Sequence, residues 1–388
     1  MKAAERKSSC LEGWVPAGTR IPLRLTRNLE EYCRQVLGVG RFCYNLAVAT
    51  HRFHRINRLP WPSWQDTYKA FNACKHEDYP FVTKMASRVA EGAFMEFGKA
   101  VANWRNPNTK SRVPKFLKRK LTGEGSFRAA SGVQQIRYNG KRRARLPVIG
   151  FAKLAHTLPK GIYHDAHIRL QNGRWYLCLK YCKEPEARPQ PDQRITGAVD
   201  SGINPHASDS DGQTYENPKA YYQIERRLRR WQRAQARRQR SSRGWHEAQR
   251  RINRCHRRIR GIRQNAVHQM THTLTRKYHT LVIEDLNVQG MKQGLTPKAQ
   301  ADASMGEIRR QLEYKCNWRH TDVVVAHRFY PISKLCNACQ TYNAKIKRER
   351  YWTCETCGTR HERNANAAIK LRNLFPKAGG QRSVTGKL

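Results

Sequence analysis

The chain has 388 residues, 39% of them apolar and 9% aromatic, which is enough for two or three small domains, each with its own core. Against 29 Asp+Glu stand 75 Lys+Arg, a formal charge of +46 that solubility does not require and that would repel itself unless a polyanion shared the space. Nucleic acid is the polyanion that fits, because each neutralised phosphate releases counterions. An anionic membrane is the poorer partner: no apolar stretch approaches a span, and residues 1–14 hold no apolar signal core, so an intracellular, cytoplasmic protein is expected.

In chain order, residues 20–52 carry a helical pattern through Leu29, Tyr32, Cys33, Val36 and Leu37. Residues 84–104 read as a second amphipathic helix, with Met85, Val89, Ala93, Phe97, Val101 and Trp104 on one side. From 105 to 120 the chain is basic and loop-like. Residues 126–182 alternate as strands, and Asn172-Gly173 marks a hairpin turn within 168–180. The Pro-rich segment 184–192 reads as a linker between a front and a back half.

The back half opens on a short apolar strand, residues 195–199, that ends in Asp200 and a glycine turn. A long helical region, 220–276, follows. Between Arg226 and Arg263 it holds sixteen arginines and one acid, Glu247, with Leu228, Trp231, Ile252, Ile259 and Ile262 as its apolar contacts. A second apolar strand, 280–286, contains Glu284 and Asp285; a helix at 304–317 and a third strand at 323–325 come next.

The most specific local pattern is a pair of Cys-x2-Cys motifs, Cys336/Cys339 and Cys354/Cys357, separated by fourteen residues. That spacing suits two knuckles holding one structural zinc through four thiolates, with 346–352 as a hairpin strand between them. The other eight cysteines, such as Cys33, Cys43, Cys178 and Cys255, are scattered, and as small buried hydrophobes they carry no assigned chemistry.

Asp200 and Glu284 each end an apolar strand. A buried ionised carboxylate is costly unless it is paired or holds a metal, and strand-end carboxylates can converge on Mg²⁺. A salt bridge to one of the many arginines is the competing reading; Asp285 fits a supporting place better than a ligand's. A solvated helix would carry mixed charge, so the arginine-rich region, with Arg226, Arg229, Arg230, Arg233 and Arg237, fits phosphate binding best.

Together the motifs resemble the TnpB family, the RNA-guided nucleases of insertion sequences. They run as Gly197-x-x-Asp200-x-Gly202, the arginine-rich insert, Ile283-Glu284-Asp285-Leu286-Asn287, the two Cys-x2-Cys pairs, and His361-Glu362-Arg363-Asn364-Ala365-Asn366-Ala367-Ala368. Gly40-Arg41-Phe42-Cys43-Tyr44-Asn45, Pro114-Lys115-Phe116, Ser126-Phe127-Arg128, Arg309-Arg310-Gln311-Leu312-Glu313-Tyr314-Lys315 and the stretch Arg328-Phe329-Tyr330-Pro331-x-Ser333-Lys334 extend the likeness over nearly the whole chain. No nucleophilic tyrosine with paired metal-binding histidines points instead to a strand-transferring transposase; His268 and His272 look like helix-surface residues.

The resemblance implies a mixed α/β fold. A wedge β-barrel would take residues 1–22 and 112–192, with a helical recognition region, 23–111, inserted in it. An RNase H-like RuvC domain would span 193–331 and 360–375, a zinc ribbon 332–359 and a flexible tail 376–388. It further implies Mg²⁺ on Asp200 and Glu284, zinc on the four cysteines, a guide RNA from the transposon end, and a double-stranded DNA target beside a short flanking motif. The particle would be a monomeric ribonucleoprotein, nucleoid-associated when on DNA, with Lys115, Lys118 and Arg119 joining the arginines in nucleic-acid binding. The third acid of the family site is replaced by Asn364. Three explanations stand: Glu362 supplies the charge, the protein is a nuclease-dead DNA-binding repressor, or the position carries an engineered inactivating change.

Overall fold

The computed structural model describes residues 10–109, 111–118, 124–131, 136–138, 140, 142–187, 195–291, 297–327, 334–346 and 349–374. Arg119, most of the 184–192 segment, the 328–333 motif and the 376–388 tail therefore lie outside the described residues. Two compact units divide the chain, one drawn from residues 1–184 and 239–253, the other from 185–238 and 254–388.

In the first unit, β1 (Val15–Arg24) precedes four helices: α1 (Arg27–Ile56), α2 (Trp64–Asp78), α3 (Pro80–Thr83) and α4 (Ser87–Arg105). Six strands follow: β2 (Gly125–Ser131), β3 (Arg137–Tyr138), β4 (Arg143–Leu146), β5 (Gly150–Leu154), β6 (Ile162–Gln171) and β7 (Arg174–Lys183). All seven strands join one antiparallel sheet in the order β2-β6-β7-β1-β5-β4-β3. The β6–β7 hairpin turns where expected, with Asn172 and Gly173 both in the left-handed region at φ 49° and 68°, as a tight turn between twisted strands requires.

The helical stretch expected within residues 20–52 is α1, and a strand precedes it. Val15, Ile21 and Leu23 bury on the sheet's two-residue period, so the chain stays extended to Arg24, and Thr26 then caps α1. The sequence reading also passed over α2, although Ser63 and Asp66 form a complete capping box at its start. Cys33 and Cys43 are buried in α1 and Cys255 is buried as well, as expected, and burial pushes the Cys33 and Cys43 thiols up to about 12. Two scattered cysteines do carry chemistry: Cys10 is joined to Cys182 by a disulfide. Composition could not reveal this, because the pair is 172 residues apart in sequence and brought together only by the fold.

The second unit begins with β8 (Thr196–Ser201), β9 (Ala207–Asp209) and β10 (Thr214–Tyr215), then α5 (Ala220–Ala236) and α6 (Arg243–Lys277), of which residues 243–253 belong to the first unit. After β11 (Thr280–Glu284) come α7 (Val288–Met291), α8 (Pro297–Ala303), α9 (Met305–Arg319) and β12 (Asp322–Ala326). The strands β13 (Tyr351–Thr353) and β14 (Arg360–Glu362) pair with each other, and α10 (Arg363–Leu374) ends the described chain. The five-stranded sheet runs β10-β9-β8-β11-β12, with β8, β11 and β12 parallel.

Adjacent strand residues point to opposite faces. Val199, Leu281 and Ile283 meet α6 and α9 residues such as Leu274, Ile308 and Leu312, whereas Ala198 and Val282 meet Ala367 and Leu371 of α10. Apolar residues on both faces are what a parallel sheet covered by helices needs. The long helical region is interrupted where one helix was expected. α5 stops at Ala236, and Ser242 accepts the Trp245 N–H at 3.1 Å to start α6. Of the expected ribbon strand 346–352, Tyr351 and Trp352 are extended, in β13, while 347–348 lie outside the described residues.

Asp302, almost wholly buried, holds this helical pair to α8. Its carboxylate accepts from Arg263 Nε at 2.6 Å and from the Tyr221 backbone N–H at 3.1 Å, capping α5 from a distance. Gly197 leaves room on β8 for the buried Tyr278 ring, since a Cβ there would lie 2.3 Å from it. Gly197→Ala should therefore destabilise the second unit by about 1–3 kcal/mol. Urea unfolding would show this, and an unchanged midpoint would mean that Tyr278 moves aside at no cost.

Candidate active site and metal centre

Parallel pairing sets Ile283 beside Val199, so Asp200 and Glu284 follow at the same level on neighbouring strands. By the two-residue period they share the face of Ala198 and Val282, the face covered by α10. Both carboxyls are partly buried at the strand ends. Burial pushes the Asp200 carboxyl up to about 8, the Glu284 charge adds to the rise, Arg363 opposes it and the Glu362 charge raises it further. Glu284 is likewise raised by burial. Two acids that resist ionisation side by side are a seat for a cation, which would offset both the burial and the repulsion.

α10 brings the other candidates. Asn364 lies one helical turn before Ala367 and Ala368, whose buried side chains face the sheet. Glu362 accepts the Ala365 backbone N–H at 2.7 Å, capping α10, and lies 3.7 Å from Arg350 Nε. Its charge thus serves the helix start and still reaches Asp200. Arg363, to which the sequence reading gave no role, is the cation felt at Asp200; its place beside position 364 was the available signal. Asp285 is taken up by Arg309, whose Nη1 donates to it at 2.6 Å, and Arg309 Nε also donates to Glu313.

The four cysteines converge so that all their sulfurs lie within 4.8 Å of one another. Cys336 and Cys357 are 3.6 Å apart, as are Cys339 and Cys354, close to the edge of ~3.8 Å of a tetrahedron with Zn–S bonds of ~2.3 Å. Each pair sits in the same turn: Cys336 N donates to Thr341 O and Cys354 N to Thr359 O, with Gln340 and Gly358 left-handed at φ 65° and 68°. Backbone N–H groups of Cys357 and Thr356 help to bring the Cys354 thiol down to about 6, and Cys357 is lowered through Thr359. Cys336 is buried and pushed up to about 11. A donor set of four thiols that favours thiolates in its second pair, Cys354 and Cys357, fits zinc. Asn366 fixes this ribbon to α10: its amide accepts from Asn337 N at 3.0 Å and donates to Leu335 O at 2.8 Å.

Arg226, Arg229, Arg230 and Arg233 of α5 and Arg237 at its C-cap are all exposed, while Ala220, Ile224 and Leu228 are buried. Arg229 donates to Glu225 at 2.6 Å, an exposed pair of little energetic weight. In the first unit, Lys118 lines a cavity of about 640 Å³ between α1, α4 and β2, with Arg34, Arg41 and Arg128. Lys115 lines a different one. His268 and His272 are exposed on α6. No helix among the described residues is long and apolar enough to cross a membrane.

Residues 178–294 match a family model described as a probable transposase of the OrfB_IS605 type, and 306–371 match the TNB domain of Cas12f1-like proteins. A Streptomyces pristinaespiralis protein named as a candidate RNA-guided DNA endonuclease is 31% identical over 306 residues, 76% of this chain and 73% of its own. A relative of the same description from Escherichia coli strain K12 is 26% identical over 330 residues, 79% of each chain. Among solved structures, a chain of the cryo-EM Cas12f1–sgRNA–target DNA complex superposes with a TM-score of 0.54 at 11% identity. That match covers 89% of this chain and 83% of the other, a likeness of fold.

Two outcomes are expected. Metal analysis should find about one zinc per chain, and Cys354→Ser should lower zinc content and thermal stability together; a zinc-free protein of undiminished stability would contradict the knuckle assignment. The second concerns Asp200, whose carboxyl keeps its proton to about 8 in the folded chain, whereas the unfolded chain loses it near ~3.9. Stability in magnesium-free buffer should then fall as pH rises through that window. Asp200→Asn should melt several degrees above the parent at pH 8, with the gap narrowing toward pH 5; a gap independent of pH would show that the carboxyl is solvated.

Proposed function

The chain belongs to the TnpB family of RNA-guided DNA endonucleases, and from that membership we propose that it cleaves DNA complementary to a bound guide RNA. The observation that carries the chemistry is the pair Asp200 and Glu284, set level on parallel strands, both raised in proton affinity by burial and Asp200 further by the Glu284 charge. They would hold Mg²⁺, which activates a water and stabilises the leaving oxygen when bound. Glu362 supplies the third negative charge in place of the acid missing at 364, supported by its effect on Asp200. The Asn364 amide oxygen is a neutral ligand at best.

The second unit is read as the RNase H-like RuvC nuclease, interrupted by α5 and α6. The four-cysteine knuckles form its zinc ribbon. The first unit is read as a wedge sheet with an inserted recognition region, α1 to α4. Guide RNA and target DNA would lie along the exposed arginines of α5, held by backbone charge while base pairing reads sequence. In the first unit, taken by itself, Lys115 and Lys118 line cavities and would contact nucleic acid there, where a flanking DNA motif would be read.

The deciding experiment compares cleavage and guided binding in the ribonucleoprotein with Mg²⁺ and a matched target. Glu362→Gln keeps an oxygen to cap α10 but removes the charge, so cleavage should fall at least tenfold while target binding persists. Asn364→Asp should add little, because Glu362 already supplies the charge. Full cleavage by Glu362→Gln would reduce Glu362 to a helix cap. Guided binding without cutting in the parent and in Asn364→Asp would make the protein a nuclease-dead repressor instead.

A further inference from the structure

A second cavity of the first unit, about 230 Å³, lies among α1, the α1–α2 connection, α4 and residues 113–115. Its walls are aromatic. Trp61 stacks on Trp104 at 5.4 Å and 17°, and His51 meets Trp61 edge-on at 4.0 Å and Phe97 at 5.5 Å. Arg52, Arg55 and Lys115 also line it, and among the described residues no carboxylate does. Arg105 caps the outer face of this stack, with its guanidinium 4.5 Å from the Trp61 ring centre.

His51 is the unusual member. It is 93% buried, yet its Nε2 has no hydrogen-bond partner among the described residues. Leaving a buried polar atom unpaired costs about 1–3 kcal/mol, and a turn of the His51 ring, which lines the cavity, would let a ligand's polar edge satisfy it. Burial first, then the nearby charges of Arg105, His54 and Arg55, keep the ring neutral, so it offers one donor and one acceptor.

Packing alone would explain an aromatic cluster. It does not explain a cluster that keeps an open volume, a buried unpaired nitrogen and three cations at once. A cavity of ~150 Å³ admits a benzene ring, so this one has space for a heterocyclic base.

We propose that this cavity captures one unstacked nucleobase of a single-stranded nucleic acid. The base lies against the indole walls, His51 Nε2 hydrogen-bonds its edge, and Arg52, Arg55 and Lys115 hold the flanking phosphates. Base-on-aromatic stacking beside a cationic backbone track is the general chemistry of single-strand binding. The inference does not require cleavage and stands or falls separately from the nuclease reading.

The test is fluorescence anisotropy on the full chain with labelled hexanucleotides, at salt high enough to suppress purely electrostatic binding. The ribo and deoxy forms are each compared with a counterpart carrying one abasic position. Trp61→Leu should weaken the base-containing oligomer roughly tenfold and leave the abasic one unchanged. His51→Phe, which keeps the ring packing and deletes only the nitrogens, should weaken it several-fold with the same selectivity. Arg55→Gln should weaken both oligomers and flatten the salt dependence. Tighter binding of the ribo form assigns the captured base to RNA, and of the deoxy form to DNA. Equal losses on base-containing and abasic oligomers, or no loss in folded Trp61→Leu and His51→Phe, would overturn the proposal.

Discussion

Placing Asp200 and Glu284 side by side is the constraint on which the second unit turns. Parallel pairing makes the two strand ends level, and the apolar residues before each carboxylate keep those ends away from water. The sheet can hold them only because both its faces are covered. α6 and α9 pack on one side and α10 on the other, while Gly197 gives the Tyr278 ring its place against β8. The cost of burying two like charges is local. It is borne by a core that is otherwise apolar, and a bound cation would remove it.

The same economy governs the cations. Among the described residues, several acids are committed to structure rather than to neutralising the surface. Asp302 anchors Arg263 and the start of α5, and Asp209 and Asp211 both hold Lys277. Along α5 the buried residues recur every fourth position and the arginines take the remaining faces. The charge that composition reports is therefore concentrated on exposed helix surface, where a phosphate backbone can reach it.

The cysteine ribbon and the carboxylate site are linked through α10. Asn366 grips the first knuckle, His361 Nε2 lies 3.1 Å from Cys336, and Glu362 caps the helix that carries Asn364. Thiolate ligation at the knuckles would thus stiffen the start of α10, the segment facing the two strand-end acids.

Sequence by itself determined what depends on local order. The strands around Asp200 and Glu284, the hairpin at Asn172-Gly173, the two Cys-x2-Cys pairs and the polyanion-binding charge are properties of neighbouring residues. Periodicity, turn chemistry and ligand spacing record them directly. The motif at 361–368 likewise pointed to position 364 as the weak place in the site. Tertiary structure decided the rest. The strand that ends at Arg24 was hidden because its burial depends on partners in β5 and β7, and the Cys10–Cys182 bridge because its halves are 172 residues apart. Glu362 was a candidate on charge alone; its second task as a helix cap became visible only once the backbone of Ala365 was in place. The cavity at His51 draws Trp61, Trp104 and Lys115 from three separate segments, and no pattern along the chain records a volume that only their packing encloses.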